Sequence, residues 1–161
     1  MSKEIALTKG KITIVDDDDY EFLSQWKWGC YGQYAARKDY ISNKKRKVIL
    51  MHRLINNTPD DLFTDHINGD PLDNRKENLR NCTVSENGAN RKKQQSGTSS
   101  KYKGVSWKKN KWECGIKYHK KTIYLGRFEN EISAAKQYDE IAKQFFGEFA
   151  NLNFKGDNQI G

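Results

Sequence analysis

Apolar and polar positions alternate in several stretches of this chain, the period of a half-buried β-strand. Lys11–Val15 alternates in this way, and the segments Tyr34–Ile41 and Lys47–Met51 flank Ser42–Arg46 as a hairpin with a basic tip would. Between them the apolar positions 20, 22, 23, 26 and 28 predict a short helix or buried corner over Tyr20–Trp28. The preceding run, Asp16–Asp19, is a loop or helix entry: four consecutive carboxylates cannot all converge on one ion. Farther on, an apolar strand delivers Asp65-His66, and a Gly/Asp/Pro/Asn-rich loop follows. A second short strand is expected around Leu79–Cys82, and Thr83 and Glu86 are spaced as a capping box that starts a helix.

The pattern changes after Gln94–Ser100, a stretch without apolar side chains that reads as a linker. Gly104–Trp107, Lys111–Tyr118 and Lys121–Phe128 alternate, with turn signals at Lys109-Asn110 and His119-Lys120, and predict a three-stranded antiparallel meander. A helix follows, with Asn130 as N-cap and apolar residues Ile132, Ala135, Tyr138, Ala142 and Phe145, and Gly147 stops it. Three strands cannot close on themselves, so the helix must cover one face and leave the other, lysine-bearing face exposed.

Composition narrows the function classes. The chain has 161 residues and a net charge of +8, with four Trp, eight Tyr and seven Phe, an aromatic content that argues against disorder. No run of apolar residues is long enough to span a membrane, and the N-terminus lacks the apolar segment of a signal peptide. Cys30, Cys82 and Cys114 are widely spaced, which argues against a structural zinc site and suits a reducing compartment. Residues 1–90 carry 14 basic and 14 acidic side chains, so the whole excess lies beyond them. Within 91–125 eleven basic residues face a single acid, Glu113, and aromatics are interleaved among the lysines. A polyanion is the natural partner of such a surface. By the same charge count, the segment up to residue 93 is expected to bind DNA weakly.

The central segment runs from Met51-His52-Arg53 through Thr64-Asp65-His66 and Arg75-Lys76-Glu77-Asn78-Leu79 to Ser85-Glu86-Asn87. Its residue types suit hydrolysis of a phosphodiester. Asp65 and Asn87 offer hard oxygens of the kind Mg²⁺ takes, and an imidazole such as His66 can accept a proton from water near neutral pH. Asp70, Asp73 and Asn74 read as loop residues whose side chains bond to the backbone of their own turns.

Residues 51–87 resemble the HNH nuclease motif of phage and bacterial mobile-element homing endonucleases. That resemblance implies a strand–strand–helix metal nuclease core with His66 as general base and Asp65 and Asn87 as ligands of one divalent metal, Mg²⁺ or Mn²⁺. It implies that Asn78 ties the loop and orients the histidine. It also implies Arg53 as a phosphate holder and His52 as a support for the site; a purely structural role for His52 is the alternative. The last position is Asn87 rather than His, as in a subgroup of the family.

A second resemblance covers Tyr102-Lys103-Gly104-Val105, Trp112, Tyr124-Leu125-Gly126, Ala134-Ala135, Tyr138-Asp139 and Leu152-Asn153-Phe154. These residues are similar to the plant ethylene-response-factor (APETALA-type) DNA-binding domain, in which the sheet lies in the major groove. Lys103, Lys117 and Tyr124 are then the positions implied at DNA. Lys108 and Trp107 join them as candidates, while Trp112 is assigned to the core. Ser106 and Gly115 replace an Arg and a Glu of the plant domains, so the plant target sequence gives no guide.

The resulting expectation is an α+β chain: an HNH nuclease domain over 1–93 (core motif 51–91), a linker over 94–100 and an APETALA-type domain over 101–155. It is expected to act as a monomer on double-stranded DNA, in the cytoplasm of a bacterial host cell at the nucleoid, as a homing endonuclease. A non-catalytic DNA-binding regulator and an RNA-binding module are the alternatives.

Overall fold

A computed structural model describes residues 1–42, 45–93 and 97–155. The chain is α+β and divides into two compact units, Met1–Val84 and Ser85–Gly161. Asn43 and Lys44 at the expected hairpin tip, and positions 94–96 of the expected linker, lie outside the described residues.

In the first unit β1 (Ser2–Ala6) and β2 (Ile12–Asp16) form an antiparallel pair, followed by α1 (Asp17–Ser24). β3 (Gly29–Tyr31), β4 (Tyr34–Ser42) and β5 (Lys45–Leu50) make an antiparallel sheet with β4 in the centre. α2 (Met51–Ile55) leads to the antiparallel pair β6 (Phe63–His66) and β7 (Leu79–Cys82). Val15, Leu23, Trp28, Ala35 and Met51 form the fully enclosed centre of its core.

Two expectations shift here. The helix expected over Tyr20–Trp28 begins at Asp17, because Asp17, Asp18 and Asp19 occupy its first turn, where carboxylates complement the helix dipole. It ends at Ser24, and Trp28 lies beyond it in the core, donating its indole N–H to the Leu23 carbonyl at 2.8 Å. Met51, expected to end a strand, instead opens α2.

The second unit holds most of α3 (Val84–Asn90), which starts immediately after Thr83. β8 (Val105–Lys108), β9 (Lys111–Tyr118) and β10 (Lys121–Phe128) form the meander in the order β10–β9–β8. α4 (Glu131–Phe146) is N-capped by the Asn130 side chain, which accepts from the Ile132 and Ser133 amides. Its buried stripe is Ala134, Ala135, Tyr138, Ala142 and Phe146, packed with Val105, Cys114 and Ile116. Ile132, expected on that stripe, is instead exposed. Gly104 has φ +76°, and a Cβ there would stand 2.0 Å from the Tyr138 ring, so only glycine lets the loop close onto α4.

Candidate active site

His66 ends β6 and is buried. Its Nε2 lies 3.2 Å from Oδ1 of Asn74, itself fully buried. The Asn74 amide donates to Thr13 Oγ1 at 2.7 Å, and that hydroxyl donates to the Leu72 carbonyl at 2.7 Å. This chain has one direction. A carbonyl only accepts, so the Thr13 proton is committed to Leu72 and its oxygen receives the Asn74 N–H. Asn74 therefore turns its carbonyl oxygen to His66, and Nε2 must carry the proton. The deprotonated nitrogen of the neutral ring is then Nδ1.

The loop holding Asn74 is moored to β2 through its backbone. Ile14 N donates to Leu72 O at 2.9 Å and Asn74 N to Ile14 O at 2.8 Å. The Asp16 carboxylate accepts the Lys76 amide at 2.7 Å, and Asp19 pairs with the Lys76 ammonium at 2.8 Å. The acidic run thus serves both as a helix start and as a clamp on the loop.

Around His66 stand His52, with ring centroids 5.1 Å apart, and Tyr34, stacked at 6.0 Å. Burial lowers the His66 pKa below the ordinary histidine value, against the pull of Asn74 and the nearby carboxylates. His52 is pushed down to about 3 by burial and then by His66 and Arg53, and its Nδ1 is buried without a hydrogen-bond partner among the described residues.

Asp65 is buried and ion-paired: Arg80 donates Nε at 3.0 Å and Nη2 at 2.9 Å to Oδ2. Asn78 accepts from the Asn68 amide at 2.9 Å and donates to Asp73 O at 2.8 Å, two bonds within the loop. A side chain that meets the histidine among the described residues is Asn74, while Asn78 makes its two bonds within the loop. Asn74 is correspondingly not the turn residue expected, whereas Asp70 is, accepting from the Leu72 amide at 2.9 Å. Asp73 also accepts the Arg75 backbone amide, at 3.5 Å, and in addition holds the Arg75 guanidinium through two bonds of 2.8 and 2.7 Å. Arg53, expected at a phosphate, spends its guanidinium on the carbonyls of Thr58, Pro59 and Leu62 and so braces the turn before β6. Asn87 is half-buried on α3 in the second unit. The Asp65 carboxylate and the Asn87 side-chain carbonyl are each hard oxygen donors of the kind a divalent ion such as Mg²⁺ takes.

In the second unit, the face of the meander away from α4 presents Lys108, Lys117 and Tyr124, all exposed, so three of the five expected DNA contacts share one surface. Tyr124 pairs across from Gly115, and Arg127 there is held by Glu113 at 2.7 Å. Trp107 projects from the opposite face at the sheet edge, its ring 4.9 Å from Trp112 and 45% exposed. Lys103 is half-buried, outside that face of the meander. Its ammonium donates to the Ala89 and Arg91 carbonyls, and burial lowers its pKa to about 8.

Residues 57–89 match the sequence-family model of HNH endonucleases. The chain is a DNA endonuclease, similar over this segment to the HNH family. The endonuclease chain is also 29% identical over 152 residues to "Uncharacterized HNH endonuclease L560" of Acanthamoeba polyphaga mimivirus, covering 90% of this chain and 76% of the viral protein. Sixty residues are 45% identical to "APETALA2-like protein 2" of Oryza sativa subsp. indica, 35% of this chain but 14% of the rice protein. A similar stretch of 63 residues is 38% identical to "AP2-like ethylene-responsive transcription factor TOE2" of Arabidopsis thaliana, covering 12% of it.

Sequence reasoning about this endonuclease missed Thr13, Tyr34 and Arg80. Thr13 carried a signal: it occupies an inward position of the alternating strand, where an apolar residue is the norm. Tyr34 and Arg80 carried none, since their roles depend on which strands become neighbours.

Proposed function

We propose that the chain is a metal-dependent endonuclease that hydrolyses double-stranded DNA, with His66 as general base and one divalent metal, Mg²⁺ or Mn²⁺, on Asp65 and Asn87. The observation that carries this reading is the Thr13–Asn74–His66 chain, which holds a buried imidazole with its proton on Nε2. His66 Nδ1 takes a proton from a water molecule as that water's oxygen bonds to phosphorus. The phosphorus–oxygen bond to the leaving sugar breaks, and the departing alkoxide takes a proton from a solvent water molecule. A metal on Asp65 and Asn87 would stabilise the negative charge on the phosphate and leaving oxygen. Asn74 holds the neutral imidazole in one tautomer, Asn78 keeps the loop closed, and Arg80 steers the Asp65 carboxylate. Such a base contributes ~10²–10⁴-fold in rate.

The exposed meander face, with Lys108, Lys117 and Tyr124, supports a role in holding DNA, and the similarity to APETALA-type proteins supports the same reading. The homing role, monomeric action and a site of action at the host-cell DNA belong to this proposal too. His66→Ala is expected to abolish cleavage of plasmid in Mg²⁺ while duplex affinity stays within about twofold of wild type, because cationic side chains rather than a neutral imidazole dominate phosphate binding. Cleavage at the wild-type rate would remove His66 from the role, and a wild-type protein inert on every DNA with both metals would favour the non-catalytic regulator.

A further inference from the structure

The near-zero charge of the first half hides a segregation. Residues 22–58 contain eight basic side chains and a single acid, Asp39, while five acids crowd between Asp16 and Glu21. Asp39 is itself occupied by Arg37. The register of the β3–β4–β5 sheet places Tyr34, Ala36, Lys38 and Tyr40 on one face, beside Tyr31 of β3 and Arg46, Val48 and Leu50 of β5. Cys30, Ala35 and Ile49 point the other way, into the core.

That outer face begins at the catalytic cluster. Tyr34 lies 4.8 Å from the His52 ring and 6.0 Å from the His66 ring. At the other end Tyr40 is 70% exposed, with the Arg46 guanidinium 4.9 Å from its ring centroid. Between them Lys27, Lys38 and Tyr31 border a hollow of about 340 Å³ that Gly29 and Ala36 help to line. Lys27 and Lys38 are exposed and make no ion pair with any described residue. Six strand residues span ~20 Å, or about six steps of ~3.4 Å along one DNA strand.

We propose that this sheet face binds the phosphate backbone of duplex DNA beside the cut, with Lys27, Lys38 and Arg46 each meeting a phosphate and Tyr31 and Tyr40 packing against the sugars. The inference rests on the reading of His66 as the place of cleavage. It makes the first unit a DNA-binding element in its own right, contrary to the weak binding that its overall charge predicts. A row of cations without ion-pair partners among the described residues, interleaved with exposed tyrosines, has no apolar partner to recruit, whereas it suits a polyanion whose condensed counterions are released on contact.

The test is titration of the full chain into a fluorescent duplex in EDTA over a range of NaCl concentrations. Lys27→Gln/Lys38→Gln/Arg46→Gln is compared with wild type and with the charge-matched control Lys136→Gln/Lys143→Gln/Lys155→Gln, three exposed lysines of the second unit. The expected result is a log–log salt slope flatter by about 2.7, at ~0.9 per phosphate contact, and Kd raised more than about tenfold at moderate salt, with a far smaller change in the control. Alanine in place of glutamine repeats the comparison if thermal melting shows the first variant to be misfolded. A triple variant that binds as the control does overturns the proposal. Because no divalent metal is present, this outcome is independent of whether His66→Ala still cuts, which bears on the catalytic reading alone.

Discussion

At the scale of single residues, a hydroxyl and an amide decide which nitrogen of His66 carries the proton. Asn74→Leu removes the acceptor opposite Nε2 at nearly constant volume. Its kcat is expected to fall ~10–100-fold, the usual cost of losing an orienting partner, with duplex affinity retained. The ¹⁵N signals of His66 should move from the Nε2–H form to a mixture of tautomers, and unchanged signals would refute the assignment. Asn78→Ala acts differently: it breaks two loop bonds, so its melting temperature and kcat should drop together, with ~1–3 kcal/mol of stability lost. His52 gives a pH signature. Its folded pKa of about 3 lies below the ordinary histidine value of 6.5, so between these values the unfolded chain binds more protons than the folded one. Its contribution is full above 6.5 and is lost progressively as pH falls toward 3. Melting curves between pH 7.5 and pH 4.5, in roughly one-unit steps, should show a shallower decline in His52→Gln than in wild type; equal slopes would dispose of this account.

At the scale of elements, the close approaches are held by features with no tolerance for side-chain bulk. Gly104→Ala forces a left-handed backbone and a contact of 2.0 Å with Tyr138, and should cost the second unit roughly 3 kcal/mol in urea unfolding. Asn130→Ala should cost only about 1 kcal/mol, the value of one helix cap. Asp139 shows why the chain after α4 is ordered: its carboxylate accepts the Asn153 and Phe154 amides at 2.8 and 2.9 Å, and Asn153 in turn bonds to Lys103 through its side chain. The Tyr138-Asp139 and Asn153-Phe154 pairs are thus two halves of one lock.

At the scale of the whole molecule, α3 bears on where the chain can be cut. Ala89 belongs to the core of the second unit, and the Ala89, Asn90 and Arg91 carbonyls accept bonds from Lys103 and Asn151. A fragment of residues 85–161 should therefore melt well above one of residues 98–161, although both contain the meander and α4. Equal melting temperatures would show that α3 contributes nothing to this unit. Both fragments should bind duplex DNA with a steep salt dependence, because the exposed lysines of the meander are common to them.

What the sequence determined by itself was local and periodic. Alternation located the three strands of the meander, Asn130 and Gly147 bracketed α4, and the Asp65-His66 pair with Asn78 carried the resemblance to the nuclease motif, because each of these signals lies within one element or in neighbouring elements of the chain. Tertiary structure decided the rest. Thr13 is 61 residues from the Asn74 it orients, the half-buried Lys103 is held by carbonyls at the end of a helix that stops 13 residues before it, and the acids that cancel the charge of β4 and β5 belong to other surfaces. Sequence spacing cannot reveal contacts made by folding distant strands together, and a net charge summed along the chain cannot show which side of a sheet each charge occupies.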